Sequence, residues 1–463
     1  TPGNNMIDVS GARGDDTFTD LTPTGGGVMV VDYDSDKFLA PNFNGQPWGS
    51  QSGQHGVLVN FSGSSQTASG FDFSDGTGAS DVAIAAQTGL DIFGDTDHYN
   101  SVQQATLTDA ADWFWADDQG DFVDGRGGDD HLIGGNSNDV LVGGAGVDTF
   151  VGGAGEDTVD FSSEDGSFAV AVDLHQGYVR DSFNNLETVT GIEDAVGTAR
   201  DDHFTGDDGN NVFQGGDGND QFIGGAGNDT LYGGAGSDIF TAGAPSGADG
   251  ADTYDGGDGI DTYYTGGSGD VSIDLQAGTA SGSEIGNDVL IGIENAVSNA
   301  GNDTLRGDTN ANILGGGFGN DILDGRAGND QLVGYLGDDD LTGGAGDDSI
   351  DGGAGDDTAH YSGNRADYSI TQQSDGSFIL TDLRSGPNDG TDTVTAVEHF
   401  VFADRTVDAA NLLALNVPPV IVSNGSGDTA SISITENGGA VTTVNATDAN
   451  NQTLSYSIAG GAD

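Results

Sequence analysis

Residues Gly215–Thr241 read GGDGNDQFI, GGAGNDTLY, GGAGSDIFT, three tandem copies of Gly-Gly-x-Gly-x-Asp-x-(large apolar)-x. The same unit runs from Gly134 to Asp160 as GGNSNDVLV, GGAGVDTFV and GGAGEDTVD, and again in register from Gly316 to His360. A short fixed period is the signature of a solenoid, in which each unit buries its apolar face only by stacking on its neighbours.

Each position has a physical reason. The first six residues suit a turn, because glycines at positions one, two and four accept positive φ and let the backbone carbonyls face inward. Aspartate at position six adds a carboxylate to those carbonyls. The last three residues suit a very short strand whose position-eight side chain points inward. Leu132, Leu141, Phe150 and Val159 stand there in the first block, and Phe213, Phe222, Leu231 and Phe240 in the second. Leu305, Leu314, Leu323, Leu332, Leu341 and Ile350 do so in the third. Stacking such units predicts an all-β fold with a narrow apolar core between two sheets and turns lining both edges.

Charge points the same way. Seventy-six Asp and Glu face ten Lys and Arg, a formal net charge of −66, and Lys37 is the only lysine. So acidic a chain would ordinarily be read as a solvated linker. Here the acids sit at fixed places beside glycines, and a linker would lack the periodic apolar position. No basic face exists to meet nucleic-acid phosphates. A hard cation is the natural counter-ion, and carboxylate with carbonyl oxygen suits calcium. There is no cysteine, which leaves metal in place of disulfides as the staple of an extracellular chain. No apolar run reaches the length of a transmembrane helix.

On these motifs the chain resembles the repeats-in-toxin (RTX, hemolysin-type) proteins exported by type I secretion. The resemblance implies a right-handed parallel β-roll with calcium between neighbouring turns on one edge, held by position-six Asp and turn carbonyls. Carried over by position, the ligands would be Asp130, Asp139, Asp148 and Asp157 in block one. In block two they would be Asp202, Asp220, Asp229, Asp238 and, after an insertion, Asp261. In block three they would be Asp303, Asp321, Asp330, Asp339, Asp348 and Asp357. Asn211 and Asn312 replace the acid near the start of blocks two and three, which predicts weak sites or entry turns. Ser137 and Asn310 replace position-four glycine, and Gly334-Tyr335-Leu336-Gly337 lacks the second glycine. The insertion after block two leaves Asp249 or Asp252 as further ligands. Ala359, small where a core residue belongs, predicts the end of the roll.

Four regions follow. Residues 1–124 read as a diverged β-rich region with a degenerate repeat (GARGDDTFT, Gly11–Thr19) and an aromatic cap, Trp113-Phe114-Trp115; a glycan- or partner-binding patch is the alternative for those aromatics. Residues 125–360 read as the roll, in blocks 125–160, 197–264 and 298–360. The segments between blocks share an alternating strand, a turn and Gly-Ile-Glu-(Asp/Asn)-Ala-Val, so they read as irregular coils of the same solenoid, with separate small domains as the alternative. Residues 361–415 read as an antiparallel closing region ending in a short helical stretch, Ala409 to Leu415. Residues 416–463 read as a Pro418-Pro419 linker and the start of a cadherin-like β-sandwich, about half of one, which suggests a piece of a longer protein.

No catalytic constellation stands out: HExxH, GxSxG and phosphate-binding loops are missing. The scattered histidines read as solvated rather than zinc-binding. Two functions are expected. The first is a calcium-binding structural or adhesive segment of a large secreted or cell-surface protein that folds on meeting calcium outside the cell, with a surface, glycan or protein partner. The second is the folding and secretion module of an extracellular enzyme.

Overall fold

The computed structural model describes residues 111–413 except 117–118, 244–248 and 386–388, together with 104–107, 109 and, as backbone strands, 30–32, 58–60, 66–71, 80–84, 88–90 and 96–98. The degenerate repeat at Gly11–Thr19 and the cadherin-like segment lie outside the described residues. The chain forms two compact units, Thr1–Val271 with Ala277–Asn295, and Ser272–Gln276 with Ala296–Asp463.

In both units the nonapeptide sets the register. Successive repeats place their strands alternately in two sheets, so a strand pairs in parallel with the one two repeats on. In the first unit Leu132 stands opposite Phe150, Leu141 opposite Val159, Phe204 opposite Phe222 and Phe213 opposite Leu231. In the second, Leu305 faces Leu323, Leu314 faces Leu332, and these face Leu341 and Ile350 in turn. Every position-eight residue predicted as core is buried. Each such Leu or Phe stabilises by about 1.5–3 kcal/mol relative to exposure. In the first unit Phe204, Phe222 and Phe240 stack ring on ring, with centroids 5.0 Å apart at each step.

The segments between blocks join this scheme as coils. After block one, Ala171–Asp173, Tyr178–Arg180 and Leu186–Thr190 form an antiparallel meander. Its last strand pairs in parallel with Thr149–Gly153, and its first with His203–Thr205. The five-residue insertion of block two lengthens one coil, so that Leu231 pairs with Tyr254 and Phe240 with Tyr263. Gly286–Ile291, antiparallel to Thr279–Gly282, then lies parallel to Thr253–Asp255.

Three expectations are corrected. The strand Trp113–Trp115 pairs in parallel with His131–Ile133 on one side and Leu58–Asn60 on the other. Phe114 is buried at the inward position, so the aromatic segment is an interior coil and not a cap. The parallel stacking does not end at Ala359, because Ala359 is buried between Leu341 and Phe400. Phe400 is itself buried, and Phe378 packs edge-on to its ring at 5.7 Å. Antiparallel strands Tyr368–Gln372, Phe378–Asp382 and Thr391–Thr395 close that unit. The expected helical stretch after Ala409 is a single 3-10 turn, Ala409–Asn411.

Candidate metal centre

The position-six aspartates form buried files along the turn edges. In each, the backbone N–H of one position-six residue donates to Oδ1 of the position-six residue one coil further on. Asp130 donates to Asp148, Asp139 to Asp157, Asp202 to Asp220 and Asp220 to Asp238, at 2.7–2.8 Å. Across the insertion, Asp229 donates to Asp252 and Asp238 to Asp261. In the second unit Asp303 donates to Asp321, Asp321 to Asp339 and Asp339 to Asp357, while Asp330 donates to Asp348. All fifteen acids expected as ligands are buried.

In eleven of these carboxylates one oxygen is left over. Oδ2 of Asp130, Asp148, Asp157, Asp220, Asp229, Asp238, Asp261, Asp330, Asp339, Asp348 and Asp357 is buried without a hydrogen-bond donor. Position-one glycine leaves the space those oxygens face. A Cβ on Gly215 would lie 2.1 Å from Oδ2 of Asp220 and 2.7 Å from the carbonyl oxygen of Gly233, one coil on. At Gly325 the same two oxygens come from Asp330 and Gly343. Carboxylate and carbonyl oxygens converging on a buried gap are the donor set of a hard cation.

Electrostatics gives the same reading. Burial is the first cause that pushes these carboxyls up, opposed by the backbone N–H bond: Asp220 to about 8, and Asp229 and Asp330 to about 7. A buried carboxylate either takes a proton or meets a cation. Among the described residues no three Asp, Glu or His side chains stand at metal-ligand distance from one point, so backbone carbonyls must supply much of each shell.

Some expected residues use their oxygens otherwise. Oδ2 of Asp202 accepts the Thr198 N–H at 2.6 Å. Oδ1 of Asn211 and Asn312 likewise accepts the N–H four residues back, from Asp207 and Asp308. The coils at Asp202, Asn211 and Asn312 are therefore closed by their own backbone. Asp252 stands in the file, but its Oδ2 accepts the Tyr254 hydroxyl at 3.1 Å. Asp249 instead accepts the Gly243 N–H at 2.6 Å.

Sequence reasoning missed two sets of residues. Glu193 and Glu294 in the first unit and Glu398 in the second accept the N–H of Asp157, Asp261 and Asp357, so glutamate takes the position-six place where a hairpin lengthens the coil. The recurring Gly-Ile-Glu carried that signal for Glu193 and Glu294, whereas Glu398 stands in Ala-Val-Glu. Position five forms a second, exposed ladder of opposite direction: the Asn228 N–H donates back to Asn210, Ser237 to Asn219, Asp338 to Asn320 and Asp356 to Asp338. The frequent Asn and Asp at that position announced it.

The family described as RTX calcium-binding nonapeptide repeat matches residues 108–141, 124–159, 188–222, 196–231, 214–244, 297–332 and 333–363. The chain carries RTX calcium-binding repeats. The RTX matches begin at residue 108, which includes the coil of Trp113–Trp115. Among solved structures, the crystal structure of extracellular lipase LipA from Serratia marcescens is similar over 62% of this chain at 18% identity, with a TM-score of 0.11. The likeness spans 38% of the lipase chain and bears on neither fold nor activity. No curated protein sequence matches the chain. Among the described residues no helix is long and apolar enough to cross a membrane.

Proposed function

We propose that this chain is a calcium-dependent structural segment of a secreted or cell-surface protein, one that folds when calcium enters its turns and then serves as a stiff, adhesive or spacing element. The single observation behind this reading is the row of buried Oδ2 atoms left without donors over the position-one glycines. Asp130, Asp148, Asp157, Asp220, Asp229, Asp238, Asp261, Asp330, Asp339, Asp348 and Asp357 would hold the ions together with turn carbonyls. Asp139, Asp303 and Asp321 occupy the same place in the files.

Stability follows from charge. At a net charge of −66 the metal-free chain repels itself, and its position-six acids lose hydration on folding. Extracellular calcium modules bind at roughly 10⁻⁴–10⁻³ M. Calcium at that level would neutralise the files, so the energy of binding becomes energy of folding. RTX repeat proteins are typically secreted by type I secretion, and a chain that orders only outside the producing cell suits that route.

A calcium titration of the metal-stripped chain, followed by circular dichroism and X-ray scattering, tests the reading. It should pass from an expanded coil to compact β-structure as free calcium rises into the millimolar range. Retention of the full β signal in excess chelator would overturn it.

A further inference from the structure

Block one ends against acids that the nonapeptide does not explain. Thr188 stands opposite Thr149 and Val189 opposite Phe150, which puts Glu187 in the place of a position-six aspartate next to Asp148. Glu187 is 1% exposed, and neither of its carboxylate oxygens has a donor. Oδ1 of Asp148 accepts the Asp130 N–H at 2.8 Å, while its Oδ2 is buried without one. From the turn after Thr158–Asp160, Glu164 accepts the Ser182 N–H through Oε2 at 3.2 Å, and its Oε1 is buried and without a donor. Behind them Asp181 is buried and held by the side chain and backbone of Asn185.

These acids repel one another at close range. After burial, the charges of Asp148, Asp181 and Glu164, in that order, push the Glu187 carboxyl far above the usual range. Burial raises Glu164 to about 7. Among the described residues neither Glu164 nor Glu187 has a cationic partner.

The corresponding place after block two shows what is missing. There Asp252 and Asp288 take the places of Asp148 and Glu187, and each receives a hydroxyl: Tyr254 donates to Asp252 at 3.1 Å and Tyr263 to Asp288 at 2.6 Å. In block one the equivalent core residues are Phe150 and Val159, which have no hydroxyl to give.

We propose that Asp148, Glu164 and Glu187 form an additional calcium site at the end of block one, separate in composition from the sites between regular glycine turns. The inference rests on the calcium reading above. Without metal the three carboxylates do not meet at one point; Glu164 and Glu187 are long enough for an ion to draw them onto Asp148, and Asp181 adds charge from behind. Calcium affinity rises with the number of charged ligands, so a three-carboxylate site fills before the regular turns.

Native mass spectrometry of the full chain in graded calcium chloride tests this, with wild type, Glu187→Gln, Glu164→Gln and, as a control at a regular turn, Asp229→Ala. Glu187→Gln should bind one ion fewer and weaken the first binding step tenfold or more. Glu164→Gln, at a half-exposed position, should weaken that step several-fold with the β signal in saturating calcium unchanged, which separates loss of the site from loss of the fold. Asp229→Ala should leave the first step alone. Wild-type ion count and first-step affinity in both glutamine variants would overturn the site while leaving the calcium reading intact. Binding of no ions by the wild type would overturn both.

Discussion

The backbone N–H of Asp220 donates to Oδ1 of Asp238, eighteen residues later, at 2.7 Å. Oδ2 of Asp238 is buried without a donor. One side chain thus fastens two coils with one oxygen and offers the other to a cation, so the two jobs separate by mutation. Asp238→Asn keeps an oxygen for the Asp220 N–H and loses the charge; Asp238→Ala loses both. In calcium, Asp238→Asn should bind one ion fewer and need several-fold more calcium to fold. Asp238→Ala should cost about 1–2 kcal/mol beyond that, the value of the lost hydrogen bond. Calcium-dependent circular dichroism measures both, and equal behaviour of the two variants would contradict the division of labour.

The response to pH should change sign with metal. Burial raises the carboxyls of Asp220, to about 8, and of Asp229 and Asp330, to about 7, in the folded metal-free chain. The unfolded chain releases the same protons near pH 4. The stabilisation from holding them is fully present below pH 4 and is lost as pH rises through 7 and 8. Metal-free protein should therefore hold more β-structure at pH 5 than at pH 8. With calcium present the order reverses, because protons compete for the same oxygens. Scattering and circular dichroism in chelator-treated buffer, with and without calcium, would show the crossing.

Two glycines of the second unit separate close packing from conformational strain. Gly346 has φ +147°, and a Cβ there would sit 1.5 Å from the carbonyl oxygen of Gly328 in the preceding coil. Gly376 has φ +99° in a hairpin turn with nothing within 4 Å. Gly376→Ala should cost only about 1–2 kcal/mol of backbone strain. Gly346→Ala should prevent its coil from stacking and raise the calcium needed for folding of that unit well beyond the effect at Gly376. Chemical denaturation in saturating calcium compares them.

Most of the fold was legible because both decisive signals are periodic. The spacing from Leu314 to Leu332 to Ile350 by itself announces an inward position and a coil of two repeats. What the repeat could not announce are places where a coil is lengthened and register restarts. Ala359 read as a terminus because the stack continues through Phe400, a residue brought opposite it only by the intervening hairpin. Glu193, Glu294 and Glu398 escaped notice because the longer side chain does the work of aspartate from a coil of different length. The donor status of each carboxylate was equally hidden: Asp202 and Asp220 occupy the same repeat position, yet only Asp202 turns its second oxygen to a nearby N–H.

Tyr254 and Tyr263 make the last case, because they put hydroxyls where block one carries hydrocarbon. Tyr263 is fully buried and donates to Oδ2 of Asp288 at 2.6 Å. Phe240 and Phe222 occupy the same inward position one and two coils earlier, so Tyr263→Phe changes neither shape nor stacking. It removes a single donor from a buried carboxylate, which costs about 1–3 kcal/mol. If the hydroxyl stands in for an ion at this end of the roll, the variant should melt lower even in saturating calcium and bind the same number of ions as wild type. Should Asp288 instead hold calcium in the wild type, loss of the hydroxyl would leave the melting temperature in calcium almost unchanged. Calorimetry with an ion count on the same sample decides between them.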